Sequence, residues 1–394
     1  MLLHDVRPWG DDPVDLEVTG EQITAVSPAM RTAPAGPEVV DGRGLLAVPG
    51  FVNAHAHVDK SWWGRPWVSY AGEPTVQGRI AHERAHRDEL GIPGVDVTTA
   101  VLREFLRHGT TAVRTHVDVD LGLGLRGIDV VRESAASLGD AVELQIVAFP
   151  QDGVVRRSGV LELLERAAVE GADFVGGLDP ASIDRAPVEQ LDGLFSIAEW
   201  HGVGLDVHLH DPGELGAFQI ELILDRTVRS GLQHRVNVSH GFALGEVAPG
   251  RQDDLVAAAA EAGVSWTTVA PLDVAPLPLS LMRDRGVAVG LGTDGIRDLW
   301  SPYGDGDILQ IARTFAQLHR LRTDEDLRYA IELGTRHAGR FVGRERHDLV
   351  VGARADIVLV DADNVADLLV RAPRRELVVA GGRVVAGGGE LVGV

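Results

Sequence analysis

The chain has 394 residues, no cysteine, and 58 acidic against 37 basic side chains, for a formal net charge of −21. The missing thiols exclude disulfides, thiolate zinc sites and cysteine nucleophiles, so any metal must be held by histidine and carboxylate. The charge argues against nucleic acid and anionic lipid as partners, and the lack of a signal-peptide pattern or membrane-length apolar run predicts a cytoplasmic protein.

Taken in order, residues 1–47 read as short strands (14–18 and 22–26) with a turn at Asp41-Gly42-Arg43-Gly44. So short a piece cannot bury a core of its own. The other end of the chain offers partners in three strand-like, glycine-punctuated runs at 355–361, 376–380 and 383–386. Residues 1–47 and 352–394 are therefore expected to pair into one small β-sandwich domain, leaving 48–351 as the main domain.

In that main domain, apolar strands alternate with helical patterns. The strands fall at 46–58, 111–117, 143–149, 172–176, 204–209, 235–240, 265–270 and 287–293. Near-continuous Val/Ile/Leu strands separated by helices imply a parallel sheet covered on both faces. Eight such units predict a (β/α)8 TIM barrel, with its active site at the C-terminal ends of the strands. An open doubly wound sheet is the competing fold, but no G-x-G-x-x-G turn follows the first strand. Residues 61–94 form a long insertion carrying Trp62, Trp63 and Trp67, expected to pack over the barrel mouth.

Histidine or aspartate stands at four of the predicted strand tips. The stretch VPGFVNAHAHVD (48–59) ends the first strand in His55 and His57, which lie on one face because side chains alternate along a strand. The fifth strand ends in DVHLHD (206–211), the sixth in VSH (238–240) and the eighth in GTD (292–294). Their coincidence at the catalytic end of a barrel points to a metal site, and three histidines with one aspartate leave a position for water. Lys60, directly after the first histidines, is the only lysine of the chain. No lysine lies near the middle strands, which removes a carbamylated-lysine bridge between two metals.

These stretches resemble the amidohydrolase superfamily, and within it the cytosine deaminase-like branch. The likeness covers nearly the whole barrel: PGFVNAHAHVDK, AVRTHVDVD and LQIVAFPQDG are similar to its first three strand motifs. VDVHLHD, VSHGFA and GTDGIRDLWSPYG occupy the fifth, sixth and eighth positions. The resemblance implies one divalent ion, zinc or iron, held by His55, His57, His208 and Asp294. It gives His240 the task of steadying the attacking water or the tetrahedral intermediate, Gln151 that of reading a ring amide, and Trp300 a place in the pocket wall. His116 and Asp118 form a further pair at a strand tip, read as supporting residues.

Three departures bear on substrate. Asp211 stands where the family's proton-shuttling glutamate is expected, one methylene shorter, with Glu214 three residues on. Gly295 replaces a second carboxylate after Asp294, which speaks against cytosine itself. Lys60 replaces a small polar residue, placing a cation where it could meet a carbonyl-rich or anionic ring. The expected function is metal-dependent hydrolysis of a C–N bond in a small nitrogen heterocycle or cyclic amide, with Asp211, His240 and Asp294 catalytic and Lys60, Gln151 and Trp300 binding substrate. Hydrolysis of an N-alkyl amino-triazine or exocyclic amide is the alternative, and an inactive binding barrel a third. The expected partners are the small heterocyclic substrate and further copies of the same chain.

Overall fold

Gly50 divides the molecule into two sheets. In the computed structural model, which describes all residues except 33, 34, 37, 140 and 394, the chain opens with β1 (Leu2–Pro8), β2 (Val14–Thr19), β3 (Gln22–Pro28) and β4 (Val39–Pro49). After Gly50 come the barrel strands β5 (Phe51–Ala56), β6 (Thr110–Asp118), β7 (Glu143–Phe149) and β8 (Phe174–Leu178). β9 (Gly204–Leu209), β10 (Val236–His240), β11 (Ser265–Thr268) and β12 (Val289–Leu291) continue them. The chain closes with β13 (Ile357–Val360), β14 (Arg375–Ala380), β15 (Arg383–Gly387) and β16 (Glu390–Leu391).

The apolar run read as one first strand over 46–58 is thus two strands in different sheets. A Cβ at position 50 would lie 2.4 Å from Thr111 Oγ1 and 3.0 Å from Asp356 Cβ, so only glycine lets the chain pass between the two sheets there.

The outer sheet runs β16-β15-β14-β13-β4-β1-β2-β3, so strands from both chain ends share one hydrogen-bonded surface. The junction is the antiparallel pair β4–β13, with Ala47 opposite Leu359 and Val48 opposite Val358. Alternation then sorts side chains between two cores. Ala47, Ile357 and Leu359 join Leu3, Leu16 and Ile23 on one face, whereas Leu46, Val48, Val358 and Val360 pack with barrel residues such as Phe51, Leu102 and Phe105 on the other.

The second sheet holds β5 to β12 in sequence order, every neighbouring pair parallel. It closes where Ala56 bridges Asp294 and the Asp294 N–H donates to the His55 carbonyl at 3.0 Å. Gly292 makes that seam possible, because a Cβ there would lie 2.5 Å from the His55 carbonyl oxygen. Asn53 clamps it further: its Nδ2 donates to Thr293 Oγ1 at 2.8 Å and its Oδ1 accepts from the Thr293 N–H at 3.1 Å. With helices between successive strands, this is a (β/α)8 TIM barrel.

Within the 61–94 insertion, a helix (Val76–His86) begins at Thr75, whose hydroxyl accepts from the Gly78 N–H at 3.0 Å. Trp62 is buried and meets Trp67 edge-on at 5.3 Å, with the Arg297 guanidinium 4.4 Å above its ring. No described helix is long and apolar enough to cross a membrane.

Candidate active site

Closure of the barrel gathers five predicted residues at the C-terminal ends of its strands. His55 lies on β5 and His57 just past it, His208 on β9, His240 at the end of β10, and Asp294 beyond β12. Their ligand-type atoms fall into two overlapping sets, His55/His208/His240 and His55/His57/Asp294, within each of which these atoms lie within 4.8 Å of one another. His57 Nε2 faces His208 Nε2 at 3.3 Å and Asp294 Oδ1 at 3.2 Å, and Asp294 Oδ1 is 3.5 Å from His55 Nε2.

Tautomers follow from the surrounding hydrogen bonds. Ser239 Oγ donates to Asp206 Oδ1 at 2.6 Å, so toward His55 Nδ1, 2.9 Å away, it can only accept. The His55 proton therefore sits on Nδ1 and its Nε2 carries a lone pair. His57 Nδ1 likewise donates to the His116 carbonyl at 3.0 Å, which frees its Nε2.

Burial enforces the neutral form. It pushes His57 down to about 4, helped by the Lys60 charge, and holds His116, His208 and His240 well below the usual imidazole range. Asp294 goes the other way: burial would raise it, but its close contacts with His55 and His57 hold it well below the ordinary carboxylate range. Neutral imidazoles beside an ionised carboxylate are the donor set a divalent cation takes.

That set fits a metal on a second count. The ligand-side nitrogen of His55, Nε2, is buried with no hydrogen-bond partner among the described residues. Such an atom costs about 1–3 kcal/mol if left unmet. A cation between the rings would use the inward-facing lone pairs. His55, His57, His208 and Asp294 could hold it, with His240 beside them.

The three residues expected to bind substrate meet in one hydrogen-bonded cluster. Lys60 Nζ donates to Gln151 Oε1 and lies 2.8 Å from Asp118 Oδ1. Gln151 Nε2 donates to Asp118 Oδ2 at 3.2 Å and to Glu83 Oε1 at 3.1 Å, and Trp300 Nε1 donates to Glu83 Oε2 at 2.6 Å. Asp118 is thus a partner of Lys60, and His116 of His57. Burial would lower the Lys60 pKa, but the charges of Asp118, Glu83 and Asp59 more than reverse this and hold it above its usual range. Asp59 itself is pushed up to about 6 by burial, against the pull of Lys60.

The two carboxylates weighed as proton carriers are separated clearly. Asp211 is buried, and its Oδ2 accepts from Gln219 Nε2 at 2.8 Å and from the Ser182 N–H at 3.2 Å. The side chain of Glu214 is 73% exposed and faces Arg251 at 3.6 Å.

Sequence reasoning passed over several residues that shape the site. Glu83 comes from the inserted helix, and Asp206 and Ser239 orient His55. His210 has its ring 4.4 Å from that of His240 and its Nδ1 3.0 Å from Asp179 Oδ2. Asp206, His210 and Ser239 stand within the strand-tip runs DVHLHD and VSH, where sequence alone assigns them no role, whereas Glu83 leaves no such trace.

A histidine–aspartate cluster at the mouth of a parallel eight-stranded barrel defines a hydrolase-type metal-binding centre. Residues 38–386 match the amidohydrolase family, and the chain belongs to it. Its fold is similar to that of N-isopropylammelide isopropylaminohydrolase from Burkholderia multivorans, at 44% identity and a TM-score of 0.94 over 99% of both chains. It is 28% identical to N-isopropylammelide isopropyl amidohydrolase of Pseudomonas sp. (strain ADP), over 95% of this chain and 94% of that one. A 5-methylcytosine deaminase from Klebsiella pneumoniae, liganded with 5-fluorocytosine, is 25% identical with a TM-score of 0.84, covering 100% and 99% of the two chains.

Proposed function

We propose that the protein hydrolyses the exocyclic C–N bond of an N-alkylamino, oxo-substituted triazine or closely related azine. Water replaces the amine, giving a ring oxo group and a free alkylamine. The observation that carries this reading is the buried Lys60–Gln151 pair, a cation and an amide side by side, with Lys60 Nζ 5.1 Å from the Phe149 ring that stacks on His208. Such a pair suits the oxygens of a carbonyl-rich ring. The likeness to the two N-isopropylammelide hydrolases supports the same substrate class. The 5-methylcytosine deaminase supports a second reading, loss of ammonia from an aminopyrimidine, against which stands Gly295 in place of a second carboxylate.

One divalent ion, zinc or iron, held by His55, His57, His208 and Asp294 would lower the pKa of water toward about 7. Asp294 accepts a proton from the attacking water. His240 Nε2, buried and without a hydrogen-bond partner among the described residues, donates to the oxygen on which negative charge develops. The proton taken from the water reaches the departing nitrogen through Asp211, so that the nitrogen leaves as a neutral amine. Trp300 bounds the ring, and Lys60 and Gln151 hold its oxygens.

Elemental analysis combined with product identification tests the proposal across N-alkyl amino-triazines, aminopyrimidines, pterins and lactams. Alkylamine release with one ion per chain is expected. Ammonia or a ring-opened acid as the only product would overturn it, as would two ions per chain.

A further inference from the structure

The inserted helix Val76–His86 buries only two side chains, Ile80 and Glu83, one turn apart on the same face. Ile80 packs on Phe149, Leu178 and Ile183. Ile80 and the partly buried Val76 are little apolar surface with which to order an eleven-residue helix. The second buried group is a carboxylate only 2% exposed, and its side-chain hydrogen bonds reach Gln151 and Trp300, two of the residues proposed to bind substrate. Glu83 Oε1 accepts from Gln151 Nε2, Oε2 accepts from Trp300 Nε1, and Lys60 Nζ stands 3.9 Å away. Arg84 pairs with Asp152 and Arg87 with Asp120 at 2.6 Å, so the helix is pinned to the loops after β6 and β7.

We infer that Glu83 is a positioning residue that couples seating of the inserted helix to recognition of the ring, by fixing Gln151, Trp300 and Lys60 in one arrangement. The inference rests on the pocket reading above and adds a residue from a different part of the chain. An amide side chain has one acceptor oxygen and one donor nitrogen. With Glu83 and Asp118 taking the hydrogens of Gln151 Nε2, Oε1 must turn to Lys60. The amide orientation is therefore set by the helix. The same carboxylate holds the Trp300 indole by its N–H, so the wall and the reading group move together.

The test compares Glu83→Ala and Glu83→Gln in the metal-loaded enzyme by steady-state kinetics and by trypsin, which can cut after Arg79, Arg84 and Arg87 in the insertion. Glu83→Ala should raise KM by about ten- to hundredfold, the scale of a lost hydrogen bond to a charged group, with a smaller change in kcat. Cleavage within 61–94 should accelerate and metal content stay unchanged. Glu83→Gln still accepts from Trp300 but presents an N–H to Gln151; it should keep near-normal trypsin resistance and still raise KM. Combined with Gln151→Ala, Glu83→Ala should add little to the worse single variant. Wild-type KM and cleavage in Glu83→Ala would overturn the inference, as would a fall in kcat alone. Should the wild-type protein release no alkylamine from any triazine, the proposed function fails while trypsin still decides the role of Glu83.

Discussion

His55 Nδ1 and Ser239 Oγ lie 2.9 Å apart, and the serine, committed as a donor to Asp206, can only accept from the histidine. One hydroxyl thereby decides which imidazole nitrogen faces the pocket. Asn237 Nδ2 also bonds Asp206, at 3.0 Å, so the carboxylate is held on two sides. Ser239→Ala should free His55 to adopt the other tautomer and weaken metal affinity about 10–100-fold. Chelator competition followed by metal analysis measures this, and unchanged affinity would mean that the serine does not set the tautomer.

Asp211 and Glu214 make opposite predictions. Asp211→Asn should lower kcat by ~10²–10⁴, the usual scale for a positioned general acid, with metal content unchanged. Glu214→Gln, at an exposed position facing Arg251, should turn over almost normally. The reverse pattern would move the proton carrier one turn along and reject Asp211.

Stability should depend on pH through His319, whose ring packs 4.3 Å from Phe315 and which burial lowers from the ordinary 6.5 to about 4. Above pH 6.5 both folded and unfolded states hold it neutral, and its contribution is complete. As pH falls toward 4 the unfolded chain binds a proton that the folded chain refuses, so that contribution is lost. Chemical denaturation of His319→Gln against wild type should show a shallower decline between pH 6.5 and 4. Parallel curves would remove His319 as a source of the slope.

Removing residues 352–394 strips β13 from β4 and takes Ile357 and Leu359 out of the core shared with Leu3, Leu16 and Ile23. β4 would then be an open edge beside exposed apolar surface. The truncated chain should aggregate on expression. A soluble, metal-binding product would show that the barrel and the N-terminal strands stand without the tail.

Much of this protein can be read along the chain. β7 was predicted at its full extent, 143–149, because the period of a buried strand is a local property of consecutive residues. The histidines at the strand tips were legible for the same reason. His55 and His57 share a face by alternation, and His208, His240 and Asp294 each end an apolar run. The separation of β4 from β5 was not legible, since the apolar run continues through Gly50, and the step depends on Thr111 and Asp356 brought against that glycine by the fold. Nor was Glu83, which sits 217 positions from Trp300 and 68 from Gln151 on a helix of weak apolar pattern. Hydrogen bonds between loops carry no periodicity, and they come into being only when the barrel closes. Sequence alone determined the barrel and the chemical types at its mouth. Closure decided which tautomer His55 presents, which partner Gln151 faces and how the inserted helix is held, because each depends on groups that only the closed barrel brings within hydrogen-bonding distance.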